Sequence, residues 1–149
     1  MKKRAIICDV DGTVALMKGK RGPFEYAKAF NDEPNIPVIE TVLTMKKHLD
    51  CKLIMLSARE NAKIDHAKYN DVKDLTKAWL DKHVVHYDLL ILRDEGNWND
   101  DRYVKYDMYN NYIKNKYNIL LVFDDRDRVV NMWRNGLNLT CFQVADGNF

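Results

Sequence analysis

No two cysteines in this sequence stand at a metal-ligand spacing such as C-x-x-C. Cys8, Cys51 and Cys141 are three in all, an odd number that argues for reduced thiols in or beside strands instead of a disulfide framework. Long apolar runs are missing too. Lys2, Lys3 and Arg4 could begin a signal peptide, but the apolar stretch after them stops at Asp9, far short of a signal core. Nothing approaches a membrane span, so no membrane partner is expected and the expected location is cytoplasmic. Nor is there a surplus of one charge: +2 overall is too little to mark a nucleic-acid footprint, though a local basic patch can hide in a balanced total. Internal repeats, low-complexity tracts and linkers are absent. With 46% apolar and 31% charged residues in 149, the composition fits one domain over residues 1–149.

What the chain does have is a pattern of short apolar runs that end in reactive side chains. Ala5 to Cys8 reads as a buried strand, and Asp9-Val10-Asp11-Gly12-Thr13 follows it, with Gly12 ending the strand in a turn. Two carboxylates one residue apart at a strand's carboxyl end sit where open parallel sheets bind ligands. An Asp-Gly turn would also explain them. Gly12 to Ile36 has no sustained period and reads as a loop or small flap of about 25 residues, a length more often functional than idle. Lys18, Lys20 and Arg21 make it basic near its tip.

Pro37 opens a helix with Val38, Val42, Met45 and Leu49 on one face. Lys52 to Leu56 is a second strand, and Ser57-Ala58-Arg59-Glu60 follows at once, a group able to hold a phosphate or simply to cap a turn. Residues 61 to 70 are polar and irregular. Asp71 is an expected N-cap for a helix through His83 burying Val72, Leu75, Trp79 and Leu80.

Asp88 to Leu92 gives a third strand, and Arg93 to Asn99 a turn-rich loop carrying Trp98. Asn99 or Asp100 caps a helix running to about Lys116 with Val104, Met108, Tyr112 and Ile113 inward. Lys105 lies off that stripe, where a lysine is ordinarily solvated. Asn118 to Phe123 is a fourth strand ending in Asp124-Asp125-Arg126, acids that could equally start a helix. Val129, Val130 and Trp133 line the last helix, Gly136 closes it, and Leu139 to Val144 is a fifth strand. Strand followed by helix throughout predicts an α/β fold, a doubly wound, Rossmann-like five-stranded parallel sheet. Right-handed crossovers then bring the strand ends together. Each reactive cluster has a bland explanation alone. Their joint occurrence at one sheet edge favours chemistry.

This constellation resembles the haloacid dehalogenase superfamily of phosphotransferases. Its Asp-x-Asp-Gly-Thr signature stands at Asp9 to Thr13, its strand-end Ser or Thr at Ser57, its helix-borne Lys at Lys105 and its acidic pair at Asp124-Asp125. The chain is similar over nearly its whole length to the phosphatase domain of phage-type polynucleotide kinase-phosphatases. That likeness lies in Arg21-Gly22-Pro23, Ser57-x-Arg59-Glu60, Asp124-Asp125-Arg126, Met132-Trp133-Arg134 and Gln143-Val144-Ala145. It departs at Ala58, where that family tends to have Gly, and at Cys8, where a bulky aromatic is common. No G-x-x-x-x-G-K-[ST] phosphate loop occurs in these residues, so kinase chemistry of that kind is not expected from them, and a separate kinase or ligase is an expected partner.

The resemblance implies a minimal cap and a two-step mechanism. Asp9 is expected to attack phosphorus and form an aspartyl-phosphate. Asp11 is expected to act as acid and then base, starting protonated because neighbouring carboxylates crowd it. A magnesium ion (Mg2+) is the implied cofactor, held by Asp9, the Asp11 backbone carbonyl and one or both of Asp124 and Asp125. Ser57 and Lys105 would hold the phosphate oxygens. Arg21, Arg59 and Arg126 would contact backbone phosphates beyond the scissile group. Neither the first insertion nor Ala58 to Asn70 is long enough for a lid with its own core. The implied substrate is therefore a DNA or RNA end bearing a 3'-phosphate or 2',3'-cyclic phosphate, in nucleic-acid repair, with the host cytoplasm as location for a phage-encoded chain. A small-molecule phosphatase such as a nucleotidase is the rival expectation.

Overall fold

A computed structural model describes all of residues 1–149. In chain order its elements are β1 (Lys3–Cys8), β2 (Ala15–Leu16), a 3-10 turn (Tyr26–Asn31), β3 (Glu33–Pro34), α1 (Ile36–His48), β4 (Lys52–Asn61), α2 (Val72–Lys82), β5 (Leu89–Asp94), α3 (Asp101–Met108), β6 (Tyr117–Asp124), α4 (Asp127–Asn131) and β7 (Cys141–Gln143). Five strands form one sheet in the order β5-β4-β1-β6-β7, every pair parallel. The order reverses direction at β1, which lies between β4 and β6. That switch point opens a crevice at the carboxyl ends of the strands, and Asp9 and Asp124 end there.

Because side chains alternate across a strand, each strand serves two cores. Ile6 and Cys8 of β1, with Leu53 and Met55 of β4, pack on Ile39 and Val42 of α1 and Val72, Trp79 and Leu80 of α2. Ala5, Ile7, Ile54 and Leu56 face the other way, onto Val104 and Met108 of α3 and Val129, Val130 and Trp133 beyond. The central strands are buried on both faces. They therefore read as unbroken apolar runs in the sequence.

The expected sheet and helices are present, with four local differences. Strand β4 does not stop at Leu56. Its pairing with β5 slips between Ser57 and Glu60 and resumes at Glu60 opposite Arg93, an irregularity that re-aims the intervening side chains and leaves Arg59 buried. The stretch from Gly12 to Ile36 is more ordered than a plain flap: β2 and β3 pair antiparallel and flank the 3-10 turn. Tyr112, expected inward, is 49% exposed. Residues Tyr109–Ile113 form a π-type turn, whose extra residue per turn shifts the apolar phase, so Ile113 is buried and Tyr112 swings out. At the end of α4 a second such turn spans Met132–Gly136. Asn138, not Gly136, takes the left-handed conformation there (φ 54°), a role Asn fills when Gly does not.

Candidate active site

Asp9 lies one residue past β1 and is buried. Its two carboxylate oxygens have different partners: Thr13 Oγ1 donates to Oδ2 at 2.9 Å, and Lys105 Nζ donates to Oδ1 at 2.8 Å. The same ammonium reaches Asp124 Oδ2, also at 2.8 Å. Lys105 is therefore not a solvated lysine. It sits one turn into α3, is 2% exposed, and bridges two strand ends. The Asp9 and Asp124 carboxylates hold it charged against the pull of burial, and raise its pKa. The indole Nε1 of Trp133 donates to the same Asp124 oxygen at 3.1 Å, so this core residue also orients the site.

Asp125 completes the cluster. Oxygens of Asp9, Asp124 and Asp125 lie within 4.8 Å of one another, and no side-chain cation pairs with Asp125. Burial and the Asp124 charge push its carboxyl up to about 6. Asp9 is likewise raised well above its usual range, by burial first, with Asp124 and Asp125 adding to the shift and Lys105 opposing it. Gly12 makes room for the group. It turns at φ +80°, and a Cβ there would come within 2.0 Å of Asp125 Oδ2.

Asp11 differs from its expected state. Arg59 grips it twice, Nε to Oδ2 at 2.9 Å and Nη2 to Oδ1 at 2.8 Å, and Arg21 Nη2 adds a bond at 3.0 Å. Burial raises the Asp11 pKa, but the two guanidiniums outweigh it, and the net shift is downward. The carboxylate crowding that would protonate Asp11 at rest is thus overridden by contact charges. Arg21 also departs from expectation. It is 7% exposed and bonded through Nε and Nη2 to both oxygens of Asp32 at 2.8 Å, so it faces inward, not along a polymer. Arg59 reaches Asp32 as well, at 3.3 Å, and Thr76 Oγ1 at 2.9 Å.

Ser57 stands where expected, at the end of the apolar part of β4. It is 1% exposed, and its Oγ accepts from the Arg59 backbone N–H at 3.1 Å, which fixes the bend that presents Arg59. Arg126 lies on the rim, its side chain 25% exposed. Its Nη1 donates to Asp101 Oδ2 at 2.7 Å, and its guanidinium covers the Phe149 ring at 4.7 Å. Asp101 in turn pairs with Arg93.

Sequence reasoning missed Asp32 and Asp101. Each looks like an ordinary acid beside a helix or turn, and neither lies in the motif that drew attention. A buried arginine needs such a partner, which is the one signal available beforehand. Asp9, Asp11, Arg59, Lys105, Asp124 and Asp125 border a cavity of about 1170 Å³ that runs out past Asp101 to Arg126 and Trp98.

A parallel sheet with this strand order and these acids at its switch point defines the class: an α/β domain of the haloacid dehalogenase type. The family model of the polynucleotide kinase PNKP phosphatase domain matches residues 3–149. The chain belongs to that family. A relative from Autographa californica nuclear polyhedrosis virus, named "Putative bifunctional polynucleotide kinase/RNA ligase", is 31% identical over 146 residues, covering 95% of this chain and 19% of its own. Two solved structures superpose with a TM-score of 0.88 and 39% identity over 99% of this chain. They are a Pnkp1/Rnl/Hen1 complex and a Pnkp1/Rnl/Hen1 RNA repair complex, of whose chains 48% and 44% are covered. The chain thus spans less than half the length of the relatives it matches.

Proposed function

We propose that this chain is a magnesium-dependent 3'-phosphatase of DNA or RNA ends that works through an aspartyl-phosphate on Asp9. The observation that carries the reading is the meeting of Asp9, Lys105, Asp124 and Asp125 at the switch point of the sheet. Three carboxylates lie within 4.8 Å of one another, and the one ammonium among them contacts only Asp9 and Asp124, so the donor set is all oxygen and short of positive charge. That fits a hard divalent cation. Asp9, Asp124, Asp125 and the Asp11 backbone carbonyl would hold Mg2+. When bound, the ion would supply charge neutralisation for the phosphoryl oxygens. The ionised form of Asp9 is also favoured when positive charge lies among these oxygens, against the burial that raises its pKa.

Asp9 then attacks phosphorus as the bond to the leaving 3'-oxygen breaks, and Asp11 gives that oxygen a proton. In the second step Asp11 takes a proton from the water that hydrolyses the acyl phosphate. Because Arg59 and Arg21 hold Asp11 ionised at rest, a phosphate dianion must compete for those guanidiniums before Asp11 can carry a proton. Ser57, through its free hydroxyl proton, and Lys105 would hold the non-bridging oxygens. A 2',3'-cyclic phosphate end is a second substrate of the same site, and a separate kinase or ligase is the partner such a healing step requires.

The deciding experiment compares phosphate release from a 3'-phosphorylated oligonucleotide and from a nucleoside 3'-monophosphate, with Mg2+ and with excess chelator. The oligonucleotide should be preferred, and the chelator should abolish release. Preference for the monophosphate would instead make the chain a small-molecule phosphatase, and full activity in chelator would remove the metal.

The arginines give a sharper expectation. Arg21→Ala should cut activity on oligonucleotide and small ester alike, because Arg21 holds Asp11 and Asp32. Arg126→Ala should harm mainly the oligonucleotide and flatten its salt dependence by about one unit or less in log–log slope. Steady-state rates at several salt concentrations check both.

A further inference from the structure

Trp98 is the one tryptophan of three that the fold leaves in solvent. Trp79 and Trp133 are fully buried, whereas Trp98 is 85% exposed on the rim of the catalytic cavity. An isolated surface aromatic would mean little. This one is held in place. Its Nε1 donates to Glu60 Oε2 at 3.0 Å, and the same oxygen accepts from the Gly96 backbone N–H at 2.8 Å. The loop beneath it is pinned as well, since Arg93 Nη1 donates to the carbonyls of Asn97 and Asn99 at 3.1 and 2.8 Å. Gly96 supplies the turn with φ +79°. The polar edge of the indole is thus occupied, and what remains to be offered is its π-face.

The surroundings indicate what that face takes. Lys63 borders the same cavity, as do Lys28, Arg126 and Arg128, which also pair with Glu25, Asp101 and Asp100; the space is somewhat above the usual range for a whole ligand and far larger than one phosphate needs. A rigid aromatic surface beside basic side chains is the arrangement that holds single-stranded nucleic acid without reading its sequence. We infer that Trp98 is a stacking platform for a nucleobase in the last two nucleotides of the strand whose 3'-phosphate enters the site. This rests on the polynucleotide reading above and adds to it the residue that engages the base. Flexible aromatic contact would cost ordering entropy on binding, whereas the Glu60 and Arg93 anchors have fixed this ring beforehand.

Two measurements test the inference. Trp98→Ala should raise KM for a 3'-phosphorylated oligonucleotide roughly ten-fold with kcat nearly unchanged, as expected for loss of uniform binding. Trp98→Phe should restore most of it. An oligonucleotide whose two 3'-terminal nucleotides lack bases should show the raised KM with the parent protein and no further rise with Trp98→Ala. In the Asp9→Asn chain, binding of the intact oligonucleotide should quench fluorescence that Trp98→Phe removes.

Equal KM changes on intact and base-free substrates, or none on either, would overturn the inference. So would unquenched fluorescence at saturating oligonucleotide, the result expected if the ring serves a protein partner instead. Failure of the underlying reading looks different: the parent protein would then release no phosphate from any oligonucleotide while hydrolysing a small ester.

Discussion

Asp9→Asn should lower turnover by on the order of 10⁴-fold or more, as loss of a nucleophile does elsewhere, while the protein stays folded. The amide has the size of the carboxylate, so the Thr13 and Lys105 contacts at 2.9 and 2.8 Å keep a neighbour of the right shape. Lys105 also retains Asp124 as its counter-ion. A neutral amide cannot form the acyl phosphate, and no other carboxylate has the same place at the end of β1. Single-turnover phosphate release, read beside a melting curve, checks both halves. Turnover near the parent's rate would end the covalent mechanism.

Lys105→Met should damage both activity and stability. Removing the ammonium leaves Asp9 and Asp124 buried, at 5% and 2% exposure, with no side-chain cation in contact. Breaking a buried ion pair on one side costs about 3–5 kcal/mol, because the stranded charge keeps its desolvation penalty. In a domain of this size that corresponds to a melting point lower by roughly 10 °C. Mg2+ should recover part of the loss, since an ion that binds only the native cluster stabilises it by mass action. The lost turnover should stay lost, as the positive charge on the phosphate oxygens is gone. A melting point in chelator equal to that of the parent would show that the ammonium is not structurally paired as described.

Both expectations attach to residues of very different visibility in the sequence. Asp9 is conspicuous, because an apolar run that stops at two acids and a glycine has few purely structural uses. Lys105 taken alone looks solvated, standing beside the apolar stripe of α3. Its partner Asp9 lies 96 positions away, and only the packing of α3 against the end of β1 brings the two together. Tyr112 shows the complementary failure. Its spacing from Val104 and Met108 is right for an α-helix, and a single wider turn at Tyr109–Ile113 rotates it to the surface. Asp32 and Asp101 carry no local signal, since what marks them is the arginine across the site.

The sequence by itself determined the alternation of strands and helices, the five-stranded parallel sheet and the positions of its reactive ends. Those properties follow from hydrophobic period, turn chemistry and chain direction, all of which act over a few neighbouring residues. The tertiary structure decided which charges touch. It turned Arg21 and Arg59 onto Asp11 and reversed that group's expected protonation, buried Lys105 between two acids, and gave Trp98 its anchored place at the rim. Coulomb energy depends on distance through space and on the water excluded between charges, and neither quantity exists until remote segments have packed.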